Sequence, residues 1–256
     1  MNIVPMIPRT ITEIIRINLA RQKNVGITNN LLISVRIPTH NRSDLLLKRA
    51  LASALSQTYK KIEIVIVGDY CTDDTEEVLR KIESPIPIFW QNLKERNEYE
   101  KELLKDPEIR WFIGPVRATN RATELCSGDW IAHIDDDDTW TKDHIQVLLD
   151  YAIKGNYEFV SGDYIAENNG KRETRSGGCQ TWLYRKYVAD IFKYDSNCWK
   201  KKWDRVSDID VYERMKSAGV RMGHLDKIVA YVLPRPGENT IGLEAYKKYE
   251  SGNGIH

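Results

Sequence analysis

The chain has 256 residues, enough for one large domain or at most two small ones, and its 41% hydrophobic and 29% charged content is that of an ordinary globular protein. Thirty-eight basic side chains nearly cancel thirty-seven acidic ones, so nothing in the overall charge points to nucleic acid. The four cysteines (Cys71, Cys126, Cys179, Cys198) show neither CxxC pairing nor zinc spacing, and no segment approaches the ~20 apolar residues of a membrane span or a signal-peptide core. These features lead us to expect a soluble protein with reduced thiols, cytoplasmic and free to rest on a membrane surface.

Residues 1–30 read as an N-terminal helical extension. Pro5 and Pro8 break its start, and Thr10 to Lys23 then carries Ile11, Ile14, Ile15 and Leu19 along one broad helical face. That face is expected to pack on the domain, with a partner or membrane contact as the alternative. Asn24 to Asn30 is a linker, and a single domain follows over 31–256.

Its first half, 31–140, alternates strands and helices. Leu32 to Ile37 is a strand stopped by Pro38, and Ser43 to Ser56 a helix with Leu46, Leu47, Ala50, Leu51, Ala54 and Leu55 as its core stripe. Ile62 to Val67 is a β-branched run suited to a strand buried on both faces. Thr72 or Asp73 caps the next helix, with Glu76 and Glu77 in its first turn, and Pro85 to Trp90 is a third strand. This order implies a parallel sheet with right-handed crossovers, half of a nucleotide-binding α/β domain. Leu93 to Ile109 reads as one inserted surface helix, Ala118 to Cys126 as a helix, Trp130 to Ile134 as a strand and Lys142 to Lys154 as a helix.

The second half, 141–250, starts a strand at Phe159 and loses its pattern after Asn168. Gly170, Gly177 and Gly178 mark turns, and aromatic residues become frequent, as in an acceptor-binding region of loops and short helices. Lys200 to Lys202, beside Trp199 and Trp203, reads as a solvated loop or as a polyanion or membrane contact. The last ten residues are expected to fray.

Four consecutive aspartates, Asp135 to Asp138, end the strand that begins at Trp130. Two carboxylates within ~5 Å repel by roughly 3 kcal/mol even at an effective dielectric of 20. The run therefore needs a cation, protons or full solvation. Open α/β sheets bind ligands at their strand ends, which favours a metal–phosphate site over a solvated acidic loop.

An ordered series of motifs over roughly residues 31–165 resembles the family 2 glycosyltransferases of the GT-A fold. It comprises Ile37-Pro38-Thr39-His40-Asn41-Arg42, Ala54 to Tyr59, Glu63 to Val67, Asp69 to Thr75, Asn120-Arg121-Ala122, and Gly128 to Ala132 running into the aspartates. The resemblance implies a mostly parallel α/β sheet flanked by helices and an inverting transfer of a sugar from a nucleotide diphosphate donor to a hydroxyl acceptor on a glycan or glycolipid. It implies Mn²⁺ or Mg²⁺ bound by Asp137, with Asp135 at the ribose or the metal and Asp136 supporting between them. Carboxylate ligands suit those hard ions independently of the family. Asp138 is assigned to solvent or to capping the next turn.

By the same resemblance Asp69 accepts the N3–H of a uracil-type base, favouring UDP or dTDP donors; the structural alternative is a turn or cap. The family places an acidic residue before this aspartate, where this chain has Gly68. Pro38 and Thr39 would line base and ribose, and Arg117 and Asn120 could contact the nucleotide, with Arg117 as a plain surface residue the alternative. Ser207-Asp208 resembles the family's ED-type motif, making Asp208 the general base or, structurally, a helix cap; Asp210 is a weaker candidate. Cys179, Gln180 and Trp182 fall on the acceptor side, where a ring could stack on a sugar or belong to the core. His224 either completes the metal shell or is structural. Two rival readings remain, a sugar-nucleotide pyrophosphorylase and a non-catalytic nucleotide-binding scaffold; the first lacks its Gly-rich phosphate loop here.

Overall fold

The computed structural model describes residues 9–24, 30–200 and 206–252. The linker at 25–29, Lys201, Lys202 and Trp203, the first eight residues including Pro5 and Pro8, and the last four lie outside them.

The chain opens with α1 (Arg9–Lys23), then β1 (Ile33–Thr39). A continuous helical run follows, made of α2 (Ser43–Leu45), a π-helical stretch (Leu46–Leu51) and α3 (Ala52–Leu55). Next come β2 (Ile62–Gly68), α4 (Thr75–Arg80), β3 (Ile88–Asn92), α5 (Glu98–Leu103), α6 (Pro107–Ile113), α7 (Val116–Leu125), β4 (Trp130–His133) and β5 (Asp138–Trp140). The second half has α8 (His144–Lys154), β6 (Phe159–Asn168), β7 (Lys171–Ser176), β8 (Leu183–Arg185), α9 (Lys186–Ile191), α10 (Ser207–Ser217), β9 (Met222–Val232) and α11 (Gly242–Gly252).

Among the described residues the strands form one sheet in the order β3-β2-β1-β4-β8-β6-β9-β5, with β7 paired to β6. β3, β2, β1 and β4 run parallel, as the alternation of strands and helices requires. β4 then pairs antiparallel with β8, and β5 with β9, so the two halves of the chain share one sheet.

Every residue of β1 and β2 is buried, because helices cover both faces. Side-chain alternation divides the core accordingly. Ile64 and Ile66 pack with Leu46, Leu51 and Leu148 on one face, while Val65 and Val67 join Phe112, Ala122, Val188 and Met215 on the other.

Several local expectations are corrected. β1 continues through Pro38 to Thr39. Arg36 C=O accepts from Ile134 and Thr39 C=O from Asp69, so Pro38 nitrogen points to the β4 side, beyond the last β4 pairing at Arg36 and His133. The inserted segment is two short helices rather than one, since Asp106 caps a new start with Pro107 in its first turn. The helix after β2 begins at Thr75; Asp73 does not head it but accepts from the Thr75 N–H and hydroxyl. Ser207 and Asp208 lie inside the first turn of α10, whose cap position is Val206, so neither is its cap.

The largest reversal concerns α1. It docks through Ile17, fully buried, and through buried Glu13, which accepts from Arg214 at 2.8 Å. Arg21 grips Glu158 with two bonds of 2.6 Å. The stripe expected to pack inward faces solvent instead: Ile11, Ile14, Ile15 and Leu19 are 36–52% exposed. Among the described residues no helix is long and apolar enough to cross a membrane.

Candidate active site

The four aspartates follow β4, and their side chains alternate. Asp136 and Asp138 are buried, whereas Asp135 and Asp137 are part-exposed. Asp136 accepts from the Thr39 hydroxyl at 2.7 Å and from Arg42 Nη1 at 3.0 Å, and the same Arg42 nitrogen reaches Asp137 at 3.4 Å. Burial, together with the neighbouring Asp137 charge, pushes the Asp136 carboxyl up to about 6 despite Arg42. Asp138 is pushed well above the ordinary range by burial and then by its three neighbours. Its assignment to solvent is therefore corrected: it is an interior carboxyl at the start of β5. The π-helical stretch presents Arg49, which donates to the carbonyls of Asp137, Leu233 and Pro234 and ties the loop to the chain beyond β9.

Asp135 is held from below by two residues that were not singled out in the sequence. Buried Arg36, on β1, donates from Nε to His133 Nδ1 (3.2 Å) and from its other nitrogens to Thr123, Tyr184 and Tyr194. His133 Nε2 in turn lies 3.2 Å from Asp135 Oδ1. Burial and the Arg36 charge lower the His133 pKa, so the ring is neutral. Burial would raise Asp135, but the His133 hydrogen bond holds its carboxyl below the usual range.

Asp69 follows β2 and is buried. Its Oδ2 accepts from Arg96, which also donates to the Gly114 carbonyl, and its Oδ1 has no hydrogen-bond partner, with Arg117 Nε 3.7 Å away. The aspartate opens the bend after β2 and heads no helix, and its side chain is engaged by Arg96. Arg96, from the loop before α5, left no signal in the sequence, since it is one charge among many in that insertion. The missing acidic neighbour also has a cause: a Cβ at Gly68 would stand 2.5 Å from the Trp90 ring. Arg117 is anchored by a 2.6 Å bond to the Lys94 carbonyl. Asn120 uses one donor and one acceptor of its amide on the Tyr194 backbone (2.9 Å each), so it braces that loop and keeps its second N–H for another partner. Pro38 is buried in β1, and Thr39 spends its hydroxyl on Asp136.

On the other side of the aspartates, the Cys179 thiol donates to Asp135 Oδ2 at 3.8 Å and lies within electrostatic reach of Asp208. Burial, then Asp135 and Asp208, pushes the thiol well above its usual range, so it stays protonated. Asp208 is raised by burial, partly offset by the Ile209 N–H, and by the Asp135 charge. Asp210 instead pairs with Arg214 at 3.0 Å inside α10, a structural role. Gln180 is buried, its carbonyl accepting from Trp140 Nε1 at 2.7 Å. Trp182 is 2% exposed and packs on Phe159, Tyr184 and Tyr212, so it is core and has no free face for a sugar. His224 bonds Ser161 and Asp163 (3.0 Å each) across β6 and β9, and none of its partners belongs to the aspartate run.

The donor set tests which ion fits. Asp135 and Asp137 are the part-exposed carboxylates of the run; Arg42 reaches Asp137, while His133, Arg42 and Arg36 keep Asp135 ionised. Softer ligands stand nearby, since His133, Asp135 and Cys179 come within 4.8 Å of one another. They do not make a soft site: Arg36 can only donate, which leaves the His133 proton on Nε2 and no ring lone pair free, so the cluster offers a single thiol beside a carboxylate. What remains is a hard oxygen site that fits Mg²⁺ or Mn²⁺.

The sequence model of the family described as Glycosyl transferase family 2 matches residues 34–202. The chain is 28% identical over 160 residues to the Escherichia coli UDP-Glc:alpha-D-GlcNAc-diphosphoundecaprenol beta-1,3-glucosyltransferase WfgD, covering 62% of this chain and 56% of that one. A Campylobacter jejuni GalNAc(5)-diNAcBac-PP-undecaprenol beta-1,3-glucosyltransferase is 29% identical over 57% of this chain and 42% of its own length. The chain thus spans about half the length of these curated relatives. Among solved structures, Staphylococcus aureus TarS 1-349 in complex with UDP-GlcNAc matches with a TM-score of 0.61 at 19% identity, over 81% of this chain and 60% of that one. The mannosyltransferase PcManGT from Pyrobaculum calidifontis, in complex with GDP-Man and Mn²⁺, gives 0.60 at 15% identity, over 89% and 67%. At such identities the likeness shows the fold alone, and that fold is the GT-A arrangement.

Proposed function

The chain belongs to glycosyl transferase family 2, and on that premise we propose that it moves a sugar from a UDP- or dTDP-type donor to a hydroxyl of a lipid-linked glycan. Membership in a glycosyltransferase family displaces the pyrophosphorylase and scaffold alternatives. The observation that carries the donor reading is the buried, unpartnered Oδ1 of Asp69. A buried acceptor without a donor costs about 1–3 kcal/mol, and a ligand N–H would relieve it. Arg96 and Arg117 flank it, giving donor, acceptor, donor. Uracil and thymine offer the complement, an N3–H between two carbonyls; guanine offers a second N–H where the pattern needs a carbonyl.

Asp208 is the proposed base. Its raised pKa keeps it a competent proton acceptor, and Cys179 and Asp135 place it beside the aspartate run. Removing the acceptor proton while the hydroxyl attacks the anomeric carbon from the face opposite the diphosphate gives inversion. Asp137 and Asp135 would hold Mn²⁺ or Mg²⁺, which when bound neutralises charge on the departing diphosphate. Arg42, beside both Asp136 and Asp137, restrains the pair and limits their repulsion. The acceptor class is supported by the relatives named for undecaprenol-linked substrates, and with it peripheral association with a membrane.

The test is calorimetry of UDP, dTDP, GDP and inorganic diphosphate with Mn²⁺ on native chain and Asp69→Ala. We expect UDP or dTDP to bind at least ~10-fold tighter than GDP, and the substitution to weaken them without affecting diphosphate. Equal losses for all four would refute base reading by Asp69.

A further inference from the structure

We propose that the outward face of α1 is a membrane-docking surface that lies in the headgroup layer of an anionic bilayer. This rests on the lipid-linked acceptor proposed above and assigns the part of the chain that meets the lipid. At the helical spacing of ~100° per residue, Ile14, Ile11, Ile15 and Leu19 lie on one arc, which exposed Asn18 and Gln22 share toward the C-terminal end, opposite the face that carries Glu13 and Ile17. All four are exposed, by 36% to 52%.

The charges around the stripe are of one sign. Arg16 and Lys23 are exposed at its edge, Arg9 is paired with Glu13 and Asp195, and the helix's one carboxylate, Glu13, is turned inward and 4% exposed. An apolar stripe edged by cations, on a helix without an exposed anion, is the pattern of a helix lying in an anionic interface. A second copy of the chain fits it poorly. Two such faces brought together would oppose cations with no carboxylate between them. The patch, roughly 300 Å², also falls far short of the ~800 Å² per partner of a stable protein interface.

The helix need not detach to bind. Ile17 and the Arg21–Glu158 bonds fix it to the domain. Through Glu13 and Arg214 it is joined to α10, whose first turn carries Asp208. Docking α1 on a bilayer would thus hold the proposed base at a set distance from lipid-borne acceptors.

The experiment is co-sedimentation of the full chain with phosphatidylcholine vesicles, with and without phosphatidylglycerol. Binding should require phosphatidylglycerol. Ile15→Glu/Leu19→Glu should lower partitioning by at least about tenfold, and Arg16→Glu by roughly fivefold or more. Thermal unfolding should be unchanged, because these side chains already face water. Undiminished vesicle binding by the double variant, or a native dimer that the double variant converts to monomer, would overturn the proposal. Because sedimentation needs no turnover, inactivity toward UDP-sugars would count against the transfer reading alone.

Discussion

Arg36 and His133 are register partners on β1 and β4, and Arg36 Nε donates to His133 Nδ1 at 3.2 Å. A guanidinium has no acceptor, so the imidazole proton must sit on Nε2, where it faces Asp135 at 3.2 Å. A buried arginine thereby sets the tautomer that holds the first aspartate of the proposed metal-binding loop ionised. His133→Gln retains a side-chain donor and should keep most Mn²⁺-dependent UDP affinity, whereas His133→Phe should lose about tenfold. The Phe variant also leaves Arg36 Nε unpartnered, at about 1–3 kcal/mol of stability, so binding is to be measured below its unfolding transition. Native affinity in the folded Phe variant would remove the holding role.

Asp208→Asn should leave UDP binding intact and cut transfer by about 10²–10⁴-fold. The carboxyl acts when deprotonated and its pKa is raised by burial and Asp135, so native activity should rise with pH through a value above the ordinary carboxylate range. A pH–rate profile of the native chain that lacks this limb would count against Asp208.

Asp137→Asn should pull binding and stability in opposite directions. Calorimetry should show Mn²⁺-dependent nucleotide binding lost. Without metal, the variant should unfold at a higher temperature than the native chain, since one of several crowded carboxylates, each pair worth up to ~3 kcal/mol at 5 Å, is gone. A metal-free midpoint lower than native would mean that the Arg42–Asp137 attraction outweighs the repulsion.

Acid should destabilise the fold through His144. This ring is fully buried, stacks on Trp140 at 4.0 Å and bonds the Val229 carbonyl at 2.9 Å. Burial lowers its pKa to about 3. The unfolded chain therefore binds the proton first as pH falls below about 6.5, and stability drops by up to about 1.4 kcal/mol per pH unit between there and about 3. His144→Asn should flatten that slope in denaturant titrations across the window; an unchanged slope would assign acid lability to other groups.

Much of this site was legible because its signals are local. The aspartate run, Asp69 at a strand end and the helical start at Asp208 are each read from a few adjacent residues. Arg36 and His133 carried a signal that went unused, since a charged residue inside a buried strand needs a partner. Arg96 carried none, because its importance depends on a loop that returns to Asp69 from 27 residues away.

The sequence by itself determined the alternation of strands and helices in the first half apart from the split insertion and β5, the family and the place of the acidic loop, since periodicity and adjacent motifs record local geometry. Tertiary structure alone decided which carboxylates face the open side, that Trp182 is core and Asn120 a brace, and that α1 turns its isoleucines outward. Those outcomes depend on which surfaces and charges meet across the fold. Glu13 and Arg21 find ion partners on α10 and just before β6, with Ile17 buried between them, and that docking settles the helix's rotation against its own apolar stripe.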